Sequence, residues 1–434
     1  MKKLLAAFLA VLILAGCCGC GVTIRTPHLE PSGKDENGEW IFDKEVIIGR
    51  VAPLTGSLSS FGEGTPDVEQ QAIDAVNRSG GIVLDGRRCR LVMITEDSGS
   101  STKVAQAAAE RLINKGASMI LAAHVADTVS PVSSVCEREG VPCIAVDAPT
   151  DAWVTNGPYE NSWLTHFNTE AEILCFLDAW ESVETNRRIG LVTANDIEGI
   201  EMATFIEDFA AKKGYEVMDP GRYTPGLGRF YSMVLALKKS ECDIILGVME
   251  QPDFIDFWQE CRRQDYKPKV CTVAKACIFA SSIEALGNSA NGLVSEVWWN
   301  EDFPYTSSIT GQTCSGFANT YRRSAGITVD EAIPPTIAHK HANVEIACDI
   351  LRRAGSLDLE KIRAAAASTD LDTIVGHIAL NDDKVSLMNC VTGQWQKNED
   401  GDIELKIVLN TQLPRVETTS VITELIGWEE EEER

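Results

Sequence analysis

The most reactive side chains in the sequence are cysteine thiols, and three of them crowd into four positions near the start of the chain. The stretch LAGCCGC at 14–20 contains Cys17, Cys18 and Cys20. Thiols this close together can ligate a metal, form disulfides or accept a covalent modification. A structural zinc site needs a second ligand pair at suitable spacing, and none accompanies this cluster. We therefore interpret the stretch as part of a targeting segment.

The residues before Cys17 have the organisation of an export signal. Two lysines follow the first methionine, residues 4–14 form an apolar run too short to cross a bilayer, and two small residues come next. The sequence LAGC at 14–17 resembles a bacterial lipobox. That resemblance implies removal of a signal peptide at 1–16 and attachment of a lipid to Cys17. We expect an extracytoplasmic protein, anchored by lipid to the cell membrane of a Gram-positive-type envelope.

No familiar catalytic motif competes with this interpretation. The sequence has no G-x-S-x-G, no H-E-x-x-H and no glycine-rich phosphate loop. His339 and His341 come nearest to a metal pair, but a spacing of two places their rings on different faces of a helix. We expect one of these rings to be packed and the other exposed. The sequence predicts no enzyme, no metal and no cofactor.

Composition excludes a further class of function. The 434 residues suffice for two medium domains, and the net charge of −25 argues against nucleic acid as a partner. Outside LAGCCGC, eleven cysteines are scattered without C-x-x-C spacing, many of them in apolar runs. We interpret these eleven as small buried apolar residues, although one or two disulfides remain open.

Strands and helices alternate along most of the chain. Short apolar runs such as 45–51, 119–122 and 141–146 are separated by longer amphipathic segments, and the rhythm restarts after residue 167. This pattern predicts two α/β units in series, each a parallel sheet with helices on both faces. Open α/β sheets bind ligands at the carboxyl ends of their strands, so a cleft is expected between the two units.

The order of several short motifs resembles one family. Residues 48–56 (IGRVAPLTG), 74–82 (DAVNRSGGI) and 137–142 (EREGVP) resemble the first half of the branched-chain amino-acid-type periplasmic binding proteins, and 371–376 (LDTIVG) resembles a segment near their end. The resemblance covers roughly 45–400. It implies a type I fold, with two Rossmann-like α/β lobes, three crossovers and a hinged cleft. It also implies a solute-binding component of an ABC importer.

The resemblance divides the chain into five parts. After the signal peptide at 1–16, a polar tether is expected at 17–43, because this stretch is rich in proline and glycine. Lobe 1 is expected at 44–166 plus 298–380, and lobe 2 at 167–297 plus 381–415. An acidic tail at 416–434 completes the chain.

The family resemblance implies that, in the first lobe, loops after two strands supply donors for a solute carboxylate. Hydroxyl and backbone N–H groups at the start of a helix suit an anion, so Thr128 is the leading candidate, with an ordinary helix N-cap as the alternative. An earlier loop would place a serine and an aromatic ring beside the solute. The predicted first-lobe binding residues are Ser60, Phe61, Asp127, Thr128, Asp147, Ala148 and Thr150.

In the second lobe, the sequence departs from the family pattern. Glu198 stands where relatives often have tyrosine, and Lys275 stands where they usually have an acid for the solute ammonium. A lysine in the cleft would repel an α-amino group, whereas a lysine in a solvated hinge would have no such effect. Glu198 or Glu250 could replace the missing acid, and Trp298, at a crossover, could stack on a solute ring or fill the hinge core.

The predicted function is therefore capture of a small amino acid or an organic, possibly aromatic, carboxylate. The predicted partners are that solute, ABC permease subunits and the membrane through the lipid, and the chain is expected to be a monomer. Two alternatives stay open: a sensor that presents solute to a membrane receptor, and a secreted lipoprotein hydrolase.

Overall fold

The computed structural model describes residues 32–328 and 331–428. The expected signal peptide, the lipidation site Cys17, the first part of the tether and the acidic run at 429–433 lie outside these residues. Within the described ranges, no helix combines the length and the apolar character needed to cross a membrane. All eleven cysteines of these ranges are buried and free of disulfides, as the sequence predicts.

Seven strands form the sheet of the first lobe, in the order β14-β6-β5-β4-β1-β3-β2. All neighbours pair in parallel except β2 and β3. The strands are β1 (Lys44–Ala52), β2 (Ile82–Leu84), β3 (Arg87–Asp97), β4 (Ala117–Ala123), β5 (Cys143–Val146), β6 (Ser162–His166) and β14 (Val385–Leu387).

Helices cover both faces of this sheet. In α2, Val68, Ala72 and Val76 recur every four residues and are fully buried, so the helix presents one apolar stripe to the sheet. The first-lobe helices are α1 (Ser59–Gly62), α2 (Thr65–Arg78), α3 (Thr102–Asn114), α4 (Ala126–Glu139), α5 (Thr150–Thr155), α11 (Cys314–Ala325), α12 (Ile337–Ala354) and α13 (Leu359–Ala366).

The second lobe repeats this design with another seven-stranded sheet, in the order β16-β15-β11-β10-β9-β7-β8. At one edge, β15 pairs antiparallel with both β11 and β16, and the other pairs are parallel. The strands are β7 (Arg188–Thr193), β8 (Glu216–Met218), β9 (Ile244–Met249), β10 (Val270–Lys275), β11 (Val294–Val297), β15 (Val391–Lys397) and β16 (Ile403–Leu409). The helices are α6 (Thr169–Ser182), α7 (Ile197–Lys213), α8 (Tyr231–Lys239), α9 (Gln251–Arg263) and α10 (Ala280–Leu286).

The chain crosses between the lobes three times, after β6, after β11 and after β14. The predicted fold class is therefore confirmed. One boundary differs from the sequence prediction, which gives 381–415 to the second lobe. Val385–Leu387 pairs with Leu164–His166 of β6 and so belongs to the first sheet. A separate hairpin, β12 (Asp370–Thr373) with β13 (Gly376–Ala379), stands outside both sheets.

Both ends of the described chain pack against the fold. In the expected tether, the Trp40 indole donates to the Arg78 carbonyl at 3.2 Å and lies under the Arg88 guanidinium. In the expected tail, the buried Leu425 bonds to the Lys269 carbonyl, and the Trp428 ring meets Trp258. Large apolar side chains thus draw parts of 32–43 and 416–428 onto the lobes, although both stretches look like linkers by composition.

The first lobe encloses an ion pair with no contact with solvent. Arg50 on β1 donates to the carboxylate of Glu69 on α2, and both side chains are fully buried. Removing one partner of such a pair leaves the other charge uncompensated in a medium of low polarity.

We predict that Glu69→Ala lowers the free energy of unfolding by about 3–5 kcal/mol, because Arg50 loses its counter-ion in the core. Urea unfolding followed by circular dichroism measures this difference. Glu96→Ala is the control, since Glu96 pairs with Arg111 and Lys115 at the surface and its loss costs about 1 kcal/mol or less. Equal effects of the two substitutions would contradict the prediction.

Candidate functional site

The carboxyl ends of the two sheets face each other across a cleft, and direct contacts close it. The Ser60 hydroxyl donates to Gln251 Oε1 at 2.7 Å, and the Ile197 N–H donates to Asp127 Oδ2 at 3.1 Å. In each contact one residue belongs to the first lobe and the other to the second. The structure is therefore a closed arrangement of the two lobes.

Four residues at the carboxyl ends of these strands have an unusual backbone conformation. His124 and Val125 follow β4, Asp147 follows β5, and Lys275 ends β10, and all four have positive φ angles between 52° and 76°. Such conformations cost energy for residues other than glycine and concentrate at binding and catalytic sites. They turn the chain sharply where the strands end, which places these side chains at the cleft.

Glu198 is the principal link between the lobes. It lies in the first turn of α7, where the Asp196 carboxylate caps the helix by accepting from the Gly199 N–H at 2.7 Å. A side chain at Gly199 would collide with the Ala194 carbonyl, so this tight turn requires glycine. From this position Glu198 Oε1 accepts from the Ala126 N–H at 2.7 Å, at the start of α4 in the other lobe.

Lys275 lies beside this link rather than in a solvated hinge. Its side chain is 6% exposed, and its ammonium contacts Glu198 at 2.8 Å and Asp196 at 3.1 Å. Burial disfavours the charged amine, but Asp196 and Glu198 raise the pKa of Lys275 well above its usual value. The two carboxylates outnumber the one ammonium, so Lys275 does not make this side of the cleft attractive to anions.

Further acids surround this group. Burial raises the pKa of Glu172 well above its usual range, and burial likewise raises the pKa of Glu296 to about 7. Asp127 has a raised pKa because it is largely buried and faces Asp196. Glu250 is half-buried at the N-cap of α9. The second-lobe half of the cleft is therefore rich in carboxyl groups.

An aromatic cluster occupies the rest of the interface. The Phe61 ring meets Phe279 edge-on, with centroids 4.7 Å apart, and lies 6.1 Å from Trp298. Phe167 packs on the other edge of Trp298. Trp298 is buried, and its indole N–H donates to Glu296 at 3.2 Å. The cluster joins first-lobe, second-lobe and crossover residues into one apolar wall.

Three predicted first-lobe residues are held by the protein itself. Thr128 is neither a free donor nor an N-cap: the cap position of α4 is Val125, and the Thr128 hydroxyl donates to the His124 carbonyl one turn earlier. Thr150 starts α5, and its N–H donates to the Phe167 carbonyl at 3.0 Å, whereas its buried hydroxyl makes no hydrogen bond. Ala148 is fully buried.

The positions of several histidines were not predicted from the sequence. His339 and His341 on α12 are both buried, which corrects the expectation that one ring would be exposed; this helix packs between other elements, so both faces are covered. His124 and His166 also end strands at the cleft edge. The motif SWLTH of β6 lacks a long apolar run, so the strand and its histidine escape periodicity analysis.

Two second-lobe contributors are absent from the predicted binding residues. Gln251 and Phe279 each meet a predicted first-lobe residue across the cleft. Phe279 belongs to the apolar run CIF after β10, which resembles ordinary core sequence. Nothing local distinguishes such a residue from one that faces another lobe.

Fold and cleft together define a two-lobed solute-binding protein of type I topology. The family of periplasmic binding proteins matches residues 45–400, so the chain belongs to this family. The family resemblance predicted from the sequence motifs is confirmed.

Curated relatives include the Leu/Ile/Val-binding protein homolog 8 of Brucella abortus, which is 26% identical over 239 residues (52% of this chain and 56% of the relative). The Leu/Ile/Val/Thr-binding protein of Salmonella typhimurium is 23% identical over 280 residues (63% and 71%). The chain thus spans little more than half the length of the first of these relatives.

Solved structures share the fold. The leucine binding protein LivK of Thermotoga maritima superposes with a TM-score of 0.70 at 18% identity, covering 85% of this chain and 99% of that one. LivJ of Streptococcus pneumoniae, in complex with isoleucine, gives 0.65 at 15% identity (84% and 99%). A solute binding protein of R. palustris in complex with 4-hydroxybenzoate gives 0.66 at 16% identity (84% and 96%).

We predict that Glu198→Ala favours open lobes in the absence of solute, because the charge-assisted hydrogen bond that Glu198 accepts from Ala126 across the closed cleft is lost. A bond of this kind contributes about 1.5–3 kcal/mol, which corresponds to a shift of roughly 10- to 100-fold towards the open form. Small-angle X-ray scattering should show a larger radius of gyration. Glu207→Ala, at an exposed position of the same helix, should leave the scattering unchanged. A compact Glu198→Ala protein would contradict the proposed link.

We also predict that Glu296 makes the fold more stable in acid than in base. Its folded pKa of about 7 lies above its usual 4.5, so its stabilising contribution is full below pH 4.5 and is lost as the pH rises through 7. Glu296→Gln should remove up to about 3 kcal/mol of this dependence and should be more stable than the parent at pH 8. Urea unfolding across this pH range tests it, with the exposed Glu284→Gln as control. Parallel pH profiles of parent and Glu296→Gln would refute the assignment.

Proposed function

We propose that the protein is the extracytoplasmic solute-binding component of an ABC importer. It captures a small amino acid or organic carboxylate between its closing lobes. The observation that carries this proposal is the contact of the Glu198 carboxylate with the Ala126 N–H. A carboxylate already occupies the amino end of α4, and free N–H groups at such a helix end favour anions. A solute carboxylate would take the place of Glu198.

The charges around this position favour a solute that also carries an ammonium group. Once Glu198 is displaced from Ala126, Glu198 and Glu250 are the acids that can face a cation, while Asp196 stays paired with Lys275. Lys275 does not favour an anionic solute, contrary to its appearance in the sequence, because its own neighbours Asp196 and Glu198 neutralise it. An amino acid therefore fits better than a dicarboxylate.

The aromatic wall favours an apolar or aromatic solute side chain. Phe61, Phe279 and Trp298 meet in the closed cleft, and a solute inserted between them would bury its own apolar surface. The similar proteins support both proposed solute classes, an apolar amino acid and an aromatic carboxylate. Several curated relatives are Leu/Ile/Val-binding proteins by name, and one solved structure contains 4-hydroxybenzoate.

The mechanism is conformational. Three crossovers form a hinge, the solute binds between the open lobes, and the closed form docks on the permease subunits. We further propose that Cys17 carries a lipid that holds the monomeric protein at the outer face of the membrane. Such an anchor would keep the binding protein close to its permease.

A thermal-shift screen tests the ligand class. Leucine, isoleucine and phenylalanine would be compared with their deaminated and decarboxylated analogues, with 4-hydroxybenzoate and with dicarboxylates. At 100 times its Kd, a ligand adds about 2.7 kcal/mol and should raise the Tm by about 3 °C for a chain of this length. Amino acids should give the largest shifts. A Tm shift with 4-hydroxybenzoate alone would identify the solute as an aromatic carboxylate and not an amino acid. No Tm shift with any compound would refute solute capture.

The role of the acids has its own test. Glu250→Gln should weaken amino acid binding by about 10-fold, because an acid near the solute ammonium is lost, and should spare the deaminated analogue. Calorimetric titration measures both affinities. Glu241→Gln is the matched control, since Glu241 is exposed beyond the opposite end of β9. Equal losses of affinity for the amino acid and for its deaminated analogue would place Glu250 away from the solute ammonium.

A further inference from the structure

Four side chains with metal-binding atoms meet at the carboxyl edge of the first sheet. His124 follows β4, Asp147 follows β5, His166 ends β6, and His339 reaches them from α12. In Asp147, His166 and His339, one candidate ligand atom from each residue lies within 4.8 Å of the others. His339 Nδ1 is 3.6 Å from Asp147 Oδ1, and His124 Nδ1 is 3.1 Å from Asp147 Oδ2.

These side chains are buried, and their polar atoms lack partners. None of the four residues is more than 1% exposed. Both nitrogens of each imidazole and both carboxylate oxygens of Asp147 make no aligned hydrogen bond. Proteins rarely leave even one buried polar atom unsatisfied, because its lost hydration costs about 1–3 kcal/mol. Eight such atoms lie in this one cluster, which therefore offers donor and acceptor atoms to a further bound group.

The chemistry of the donors favours a metal over an organic anion. Imidazole nitrogens combined with a carboxylate oxygen are a typical ligand set for zinc and neighbouring divalent ions.

Each of the two nearby cations has an oxygen partner, although Arg50 Nε and Nη1 make no hydrogen bond. The Lys340 ammonium donates to the Glu63 carbonyl at 2.8 Å and to the Thr336 hydroxyl at 2.7 Å. Arg50 donates to Glu69. Each cation thus has an oxygen partner of its own, whereas the oxygens beside the imidazoles of His124 and His339 are those of Asp147.

We propose that Asp147, His166 and His339 bind one divalent transition-metal ion of the zinc class. Three protein ligands leave one tetrahedral position for a further oxygen or nitrogen ligand. His124 lies against the second carboxylate oxygen and acts as a positioning residue, as outer-shell partners of metal ligands commonly do.

The site lies directly beneath the aromatic wall of the cleft. The rings of His166 and His339 pack against Trp298, with centroid distances of 4.6 and 5.9 Å, and His124 packs against Phe61 at 5.6 Å. The metal therefore reaches its ligands when the lobes open. Its binding is independent of the organic solute proposed above, and the test uses the metal alone.

The test is calorimetric titration of the chelator-treated full chain with zinc chloride, with no organic solute present. We expect one zinc ion per chain. His166→Asn and His339→Asn should each abolish this binding, and His124→Asn should weaken it by about 10- to 100-fold. His341→Asn is the matched control, because His341 is buried on the same helix but bonds to Ser307 at 2.7 Å; it should bind zinc like the parent.

Two measurements on the unmutated chain keep the proposal falsifiable if a variant fails to fold. X-ray absorption of the zinc-loaded protein should show nitrogen and oxygen ligands at about 2.0–2.1 Å and no sulfur at about 2.3 Å. Cobalt in place of zinc should lack the charge-transfer band of thiolate ligation. Sulfur ligation would assign the metal to cysteines and overturn the proposal. Absence of binding, or unchanged binding by His166→Asn and His339→Asn, would overturn it equally.

Discussion

The closed arrangement of the two lobes depends on the Glu198 carboxylate. One of its oxygens accepts from the amino end of α4 in the first lobe, and the other contacts Lys275 in its own lobe. Asp196 holds both partners, since it caps the helix that carries Glu198 and contacts the same lysine. Because all three charges are largely buried, each of them needs the others to compensate for its lost hydration.

This arrangement has consequences for binding. In the closed protein, Glu198 accepts the hydrogen bond of the N–H group at the amino end of α4. An incoming solute carboxylate must therefore compete with the protein's own acid. Such competition lowers the apparent affinity but releases a charged group that can face the solute. The acids around Lys275 therefore have two roles in the proposed mechanism: they stabilise closure without solute, and they are available to a solute ammonium.

The first lobe presents a different chemistry to the same cleft. Its strands end in histidines and Asp147, and its core holds the Arg50–Glu69 pair and Lys340. The two halves of the cleft thus meet across the aromatic wall of Phe61, Phe279 and Trp298. Apolar rings separate the carboxyl-rich half from the imidazole-rich half, which allows a cation site and an organic site to lie close together.

Local sequence patterns were sufficient to predict the architecture. The alternation of apolar strands and amphipathic helices predicted two α/β units, and the motif order predicted the family, because both depend on residues near one another in the chain. The boundary at β14 was misplaced, because a three-residue strand carries almost no periodicity and is specified by its pairing with β6. The packing of Leu425 and Trp428 was missed for a similar reason, since distant residues supply their partners.

The sequence by itself determined the class of fold, the burial of the scattered cysteines and the strand ends at which a site should form. Only the tertiary structure decided what those strand ends do. Lys275 looked like an anion-binding residue until Asp196 and Glu198 were placed against it, and His166 and His339 looked unrelated until β6 and α12 brought them together. Charge and ligand geometry depend on contacts between residues far apart in the chain, and such contacts exist only in the folded protein.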